Sequence, residues 1–384
     1  MSGRERVTAA RIGLALLVLA ATVALLRDQG SGAPRQVVLR PTPARQSAAP
    51  LTKAGPATTA AVARPPTTPV PSPSTSAPAT TTSTTAPSAT VTPTTAAAPV
   101  TTTASRQWAV GVVTIDLTDP SRSTPAAGSA PATAGRHLPT IVRYPVDGAA
   151  SGGETTGAVP SRAAGPFPLI VFAHGYDSSP AVYAGLLHAW ASAGYVVAAP
   201  SFPRGTAGGP LDEADLDQEP GDLSFVISQV LASPTLAPAI DPARIGVAGH
   251  SDGADAALGA GYDTCCMDHR IRADVVMAGD EHAYPGGRYF PSGSPPLLVT
   301  QADHDVFNPS PLGRQVYADA RSPKYLLWLI NATHLGPVTT DAPHLAVMEA
   351  ATIGFFDQYL KGEASGTTRL RQAATPGLAT LTSG

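Results

Sequence analysis

One short stretch constrains the fold more than any other: an apolar run beginning near Arg244 ends in Gly-His-Ser-Asp-Gly and continues into an Ala-rich segment. The pattern predicts a strand, a sharp turn and a helix, with Ser251 at the turn. Gly249 and Gly253 have no side chains, so strand and helix can approach closely and the serine hydroxyl can stand clear of the backbone. A turn that exposes the hydroxyl in this way is typical of a nucleophilic serine. The alternative is an ordinary strand-to-helix turn with a surface serine.

The apolar runs on either side of this turn predict an α/β fold. Two β-rich runs, 109–117 and 137–145, form an antiparallel start, and the continuous apolar run 168–175 is typical of a strand buried on both faces. Strands then alternate with segments of helical periodicity, which predicts a mostly parallel central sheet of about eight strands flanked by helices. Outside the serine turn and its flanking elements, the remaining predicted strands are 195–200, 271–278, 296–300 and 325–330, and the helices are 181–193, 222–232, 312–320 and 344–360.

The partners that an active serine requires follow later strands. A serine hydroxyl is a poor nucleophile at neutral pH, so it needs a histidine base and an acid that orients the histidine. Asp303 and Asp305 come after one strand, and His334 comes after the next. We predict Ser251, Asp305 and His334 as nucleophile, acid and base. Each acidic or histidine position, taken alone, could equally be an ordinary loop residue.

Two other histidines are weaker candidates for the base. His250 precedes the serine, and alternation along the strand should point it away from Ser251. His174 ends an earlier strand in a turn that exposes backbone N–H groups. We therefore expect an oxyanion hole formed by the N–H groups of Tyr176 and Asp252.

The amino-terminal part of the chain predicts export and tethering. Residues 12–26 form an apolar run flanked by arginines within the segment 1–29, and no convincing cleavage site follows. An uncleaved membrane anchor is favoured over a cleaved signal peptide, with the rest of the chain outside the cytoplasm. Residues 30–106 are rich in Pro, Thr, Ala and Ser and predict a disordered linker. The catalytic domain is expected at 107–362, with a flexible tail at 363–384.

Charge and cysteine content narrow the function further. Residues 1–106 carry a net charge of +8. Because the whole chain carries −3, the remaining residues carry −11, and this negative charge argues against nucleic-acid binding.

Cys265 and Cys266 are adjacent; they can form a vicinal disulfide or stay as small buried thiols, and we expect thiols. The carboxylates from Asp215 to Glu219 read as a solvated rim and not as a calcium loop. Residues 280–282 read as a polar loop, so no metal and no cofactor is expected.

Several motifs together resemble the α/β-hydrolase superfamily over residues 107–362. They are Asp-Pro-Ser-Arg at 119–122, Phe-Ala-His-Gly-Tyr at 172–176, Gly-Tyr-Val-Val at 194–197, the serine turn, Ala-Asp-His-Asp at 302–305 and Asn-Ala-Thr-His at 331–334. The order Ser, Asp, His along the chain is also that of this superfamily. The nearest branch resembles platelet-activating-factor acetylhydrolase-like, cutinase-like and dienelactone-hydrolase-like enzymes. Asp252 stands where polyester-degrading members usually carry Met, which argues against a polymer substrate.

The resemblance implies an esterase or lipase that acts on a small-molecule or lipid ester through an acyl-enzyme at Ser251, and we expect it to be a monomer. Two alternatives stay open from the sequence. One is transfer of the acyl group to an alcohol by the same residues. The other is a surface-anchored binding protein that has lost activity.

Overall fold

The computed structural model describes residues 107–163 and 165–384. The predicted anchor 1–29 and linker 30–106 lie outside the described residues. None of the helices within the described residues is long and apolar enough to cross a membrane.

A ten-stranded mixed sheet forms the centre of the domain. The strand order is β12-β11-β10-β9-β8-β6-β7-β4-β1-β5, and all neighbours from β11 to β7 are parallel. The expected α/β-hydrolase-type sheet is therefore confirmed, with ten strands where about eight were predicted. The strands are β1 (Ala109–Ile115), β4 (Thr140–Val146), β5 (Glu154–Thr156), β6 (Phe167–Ala173), β7 (Val196–Pro200), β8 (Ile240–His250), β9 (Ile271–Met277), β10 (Leu297–Ala302), β11 (Lys324–Leu329) and β12 (Ala379–Ser383); β2 (Thr118–Asp119) and β3 (Arg136–His137) pair separately.

Helices connect the parallel strands and cover both faces of the sheet. They are α1 (Ala184–Ser192), α2 (Glu219–Ala232), α3 (Asp252–Tyr262), α4 (Pro311–Asp319), α5 (Gly336–Thr339), α6 (Ala342–Tyr359) and α7 (Ser365–Ala373), with short 3-10 segments at Pro180–Tyr183, Glu213–Gln218 and Ala237–Ala239. On one face Trp190 of α1 and Phe355 and Phe356 of α6 pack on the strands. On the other, Leu223 and Val226 of α2 fill the core. Strands β6 and β7 are fully buried, as their unbroken apolar runs predict.

The carboxyl-terminal residues are part of the fold, so the prediction of a flexible tail at 363–384 is wrong. Helix α7 packs on α6, where Gly354 and Gly366 allow the two backbones to meet closely. Strand β12 then pairs antiparallel with the edge strand β11. The segment was missed because its strand is short and polar, and it is stabilised by the neighbour that it covers.

A buried ion-pair network ties the segment between β1 and β4 to the start of α2. Arg136 is fully buried and bonds Asp215 at 2.8 Å and Asp222 at 2.6 Å. Arg122 binds Asp119 and Asp222. The interpretation of residues 215–219 as a solvated rim is therefore wrong for Asp215, which is buried with its partner, and for Glu219, which is buried as well.

The two adjacent cysteines are joined by a disulfide, so the expectation of free thiols is wrong. Cys265 is exposed and Cys266 is half-buried. They lie after α3, where the Cys265 N–H donates to the Asp263 carboxylate.

Replacing Arg136 with methionine should destabilise the protein strongly, because Asp215 and Asp222 would lose a buried cation. Breaking a buried pair in this way costs about 3–5 kcal/mol. Denaturant unfolding of wild type and variant measures the loss. Arg244→Met is the matched control, because Arg244 is exposed and its one ion pair within the described residues is with Asp241 at the surface, so the change should cost under about 1 kcal/mol. Equal losses in the two variants would contradict the importance of the network.

Candidate active site

Ser251 lies at a sharp turn between the end of β8 and the start of α3. Its φ of 57° is in the left-handed region, and its N–H donates to the Met277 carbonyl at 3.0 Å. A Cβ at Gly249 would lie 1.9 Å from the Gly253 carbonyl oxygen, and one at Gly253 would lie 2.3 Å from the Ala173 oxygen. Both glycines are thus required by close backbone contacts, and the turn leaves Ser251 half-buried at the edge of the sheet.

Asp305 and His334 are brought together from the ends of neighbouring strands. The Asp305 Oδ2 and the His334 Nδ1 are 2.7 Å apart, and the Asp305 side chain is fully buried. The other carboxylate oxygen accepts the backbone N–H groups of Phe307 and Asn308 at 3.0 and 2.8 Å. A carboxylate held this way keeps the imidazole proton on Nδ1, which leaves Nε2 able to accept a proton.

Asp303 is not in contact with His334. Its Oδ1 accepts the Ala332 N–H at 3.2 Å and lies 4.0 Å from the ring of its neighbour His304. The loop therefore directs only Asp305 at the imidazole of His334.

Two residues that the sequence did not reveal hold the Asp305 loop. The Asn308 side chain donates to the Ala278 carbonyl at the end of β9. The Gln301 side chain donates to the Asn308 carbonyl at 2.9 Å and approaches Asp305 at 3.5 Å. The Phe307 ring packs on the His334 ring, with centroids 5.1 Å apart. An amide three residues beyond the acid could have indicated such a loop, but no local pattern identifies its partner.

The turn after β6 lies directly against the serine. A Cβ at Gly175 would be 3.0 Å from the Ser251 Cβ and 3.2 Å from the His250 carbonyl oxygen. The N–H of Tyr176 donates to no group of residues 107–163 and 165–384. Asp252 follows Ser251 directly and is the first residue of α3. Of the two predicted oxyanion-hole residues, Tyr176 thus follows the Gly175 turn and Asp252 follows the serine.

His174 and His250 are both buried and neutral. Burial lowers the pKa of His174 to about 4, and its Nδ1–H donates to the Gly175 carbonyl at 2.8 Å. Burial and the neighbouring His334 hold the pKa of His250 well below its usual value. His250 contacts the Tyr183 hydroxyl and the His334 carbonyl, and its ring centroid lies 4.5 Å from that of His334. Within the described residues, neither ring has a hydrogen bond to Ser251.

The Ser251 hydroxyl makes no hydrogen bond within the described residues. Hydrogen bonds of a catalytic serine are often long in the free enzyme and tighten when the substrate binds. What the structure does assemble is a strained serine, an oriented imidazole and two backbone segments that can supply N–H donors.

The polar loop at 280–282 pairs with the 213–218 turn, because His282 Nε2 lies 2.7 Å from Asp217 Oδ1. Within the described residues, the one group of three potential metal ligands is Asp263 with Cys265 and Cys266, whose sulfurs are bonded to each other. Nothing at this group fits a metal ion.

The two loop aspartates should differ sharply in their effect on turnover of a short-chain ester. Asp305→Asn should lower kcat by about 10⁴, because the imidazole loses the acceptor that fixes its tautomer. Asp303→Asn should keep kcat within roughly tenfold of wild type, a barrier change of about 1.4 kcal/mol or less. Steady-state kinetics of the two single variants measures the difference, and the reverse ranking would move the orienting acid to Asp303.

Comparisons with known proteins agree with this fold. The Chlorophyllase family model matches residues 155–276, which include Ser251 but neither Asp305 nor His334. A ferulic acid esterase from Streptomyces cinnamoneus is similar in structure, with a TM-score of 0.54 and 22% sequence identity over 70% of this chain and 93% of its own. No curated protein matches the chain significantly in sequence. By its serine turn, its strand order and these similarities, the chain has an α/β-hydrolase-type fold.

Proposed function

We propose that this protein is an exported serine hydrolase that cleaves carboxylic esters through an acyl-enzyme at Ser251. The observation that carries the proposal is the turn that holds Ser251 at a φ of 57°, on the same sheet edge as the 2.7 Å pair of Asp305 and His334. The similarity to a ferulic acid esterase supports ester hydrolysis as the reaction class.

The chemistry assigned to these residues begins with acylation. The Ser251 Oγ attacks the ester carbonyl carbon while His334 Nε2 takes the hydroxyl proton, and Asp305 stabilises the imidazolium that forms. The carbonyl oxygen becomes an oxyanion that the N–H groups of Tyr176 and Asp252 stabilise. The carbon–oxygen bond to the alcohol then breaks, and the alcohol leaves with the proton from Nε2.

Deacylation repeats these steps with water as the nucleophile. His334 removes a proton from the water, the water oxygen attacks the acyl carbon, and Ser251 leaves as the protonated hydroxyl. The carboxylic acid is released. No cofactor takes part in this sequence.

The surroundings of Tyr176 favour a neutral ester. Burial raises the pKa of Tyr176 to about 12, and the negative charges of Glu213, Asp177 and Asp212 add to the effect. Carboxylates this close would repel an anionic acyl group. Val306, beside Asp305, is 65% exposed, and Val182, in the 3-10 segment after the Gly175 turn, is 40% exposed, so exposed apolar side chains follow both segments. We therefore propose a neutral small-molecule or lipid ester as substrate.

Removing the nucleophile or the base should abolish activity. Ser251→Ala and His334→Ala should each lower turnover by about 10⁶, because the residues of such a triad act as a unit. Hydrolysis of p-nitrophenyl esters of graded acyl length measures the loss and the length preference, and a fluorophosphonate probe should label wild type at Ser251 only. Equal labelling of Ser251→Ala would show that another residue is the nucleophile.

The location is a proposal of its own: residues 12–26 anchor the protein in the membrane, and residues 30–106 hold the catalytic domain away from it. Full-length protein should sediment with membranes, and protein lacking residues 1–106 should be soluble and active, because the first described strand begins at Ala109. Fractionation with amino-terminal sequencing tests both points. A mature chain that begins near residue 30 and is found free in the medium would contradict the anchor.

A further inference from the structure

A chain of buried hydrogen bonds links the turn after β6 to the loop that carries His334. The Gly175 N–H lies 3.3 Å from the Tyr183 hydroxyl, and this hydroxyl lies 3.0 Å from His250 Nδ1. His250 Nε2 lies 3.0 Å from the His334 carbonyl oxygen. Tyr183 is 1% exposed and His250 is 2% exposed, so solvent cannot replace these bonds.

The chemistry of the groups fixes the direction of every bond in this chain. The His334 carbonyl can only accept, so His250 Nε2 carries the proton and its Nδ1 is an acceptor. The Tyr183 hydroxyl must then donate to Nδ1, and its oxygen accepts the N–H of Gly175. Ser178 also lies within hydrogen-bonding reach of the Tyr183 oxygen. With His250 neutral, as burial favours by lowering its pKa, the chain has a single arrangement.

The strand order shows why the His334 loop needs such support. Ser251 follows β8 and His334 follows β11, and β9 and β10 lie between them. Three strand spacings of ~4.8 Å place the two strand ends about 14 Å apart. The loop after β11 must therefore reach back across two strand ends to bring the imidazole near the serine.

Asp305 fixes only the side chain of His334 and not its backbone. It follows the neighbouring strand β10 and binds the His334 ring at Nδ1. The bond from His250 acts instead on the His334 backbone, and it comes from the residue immediately before the nucleophile. The backbone of His334 is thereby attached to the end of β8 itself.

We propose that Tyr183 and His250 are positioning residues that keep the oxyanion turn and the His334 loop in register with Ser251. The proposal rests on the proposed function, in which His334 is the base and the turn after Gly175 supplies an oxyanion donor. Neither residue contacts the reacting atoms. A displacement of about 1 Å in such a constellation can cost about 10²-fold in rate.

The hydroxyl of Tyr183 can be removed alone. Tyr183→Phe should lower kcat for a p-nitrophenyl ester by about 10- to 100-fold while KM stays within twofold, with rates normalised to titrated active sites. Tyr195→Phe is the matched control: Tyr195 belongs to the same core and is equally buried, but its hydroxyl donates to Asp357. The control should lose stability and keep its kcat. A Tyr183→Phe variant with kcat within twofold of the control would overturn the proposal.

Substitutions of His250 test the second half of the chain and apply also if Tyr183→Phe does not fold. Glutamine can keep an N–H for the His334 carbonyl, whereas leucine, of similar size, keeps none. His250→Gln should therefore retain kcat at least tenfold higher than His250→Leu at equal titrated site concentration. Equal rates in these two variants would mean that His250 only fills space.

The rate at which a fluorophosphonate labels Ser251 is measured in parallel for each variant. The same ranking is expected, because labelling uses the serine, the base and the oxyanion turn without an ester substrate. If wild type is labelled but hydrolyses no ester, the proposed function fails while the labelling rates still decide the positioning roles. If labelling rates are equal in wild type, Tyr183→Phe and His250→Leu, the positioning roles fail.

Discussion

The contact between the backbones of β8 and α3 is the constraint on which the site depends. A hydrogen atom is all that fits at residue 249, since a Cβ there would meet the Gly253 carbonyl at 1.9 Å. Gly253 in turn lies against the carbonyls of Ala173 and His174 at the end of β6. The close approach forces a one-residue turn, and Ser251 takes up that turn with a positive φ. Strained backbone of this kind costs about 1–3 kcal/mol and persists only where the surrounding core holds it.

The same edge of the sheet carries other residues in this unfavourable conformation. Asp177 follows β6, Ala278 follows β9 and Asn331 follows β11, and all three have positive φ. Each ends a strand or opens a loop that supports the site: Ala278 accepts the Asn308 side chain, and Asn331 begins the His334 loop. The fully buried parallel strands beneath them provide the rigidity that these turns require. The stable sheet thereby holds these loops in the conformations that the site requires.

Much of the fold could be predicted because buried parallel strands are continuous apolar runs. The polar residues that follow these strands, taken in their order along the chain, predicted Asp305 and His334 as acid and base. The failures share one physical cause, dependence on distant partners. Strand β12 is polar and gains its stability from β11. Asp215 is buried because Arg136, far earlier in the chain, neutralises it. The bond from His250 to the His334 carbonyl likewise joins residues that no local pattern relates.

Negative charges near the oxyanion turn limit how well the site can stabilise an oxyanion. Asp252 stands next to the nucleophile, and each further unit of negative charge 4 Å from a developing oxyanion would cost about 4 kcal/mol at an effective dielectric constant of 20. Glu219 and His174 both lie close to Gly205. Burial of Glu219, with the charge of Asp252 as the next cause, raises its pKa well above its ordinary value and so favours the neutral carboxyl. In its neutral form Glu219 adds no repulsive charge to a carboxylate-rich site whose transition state is itself an anion.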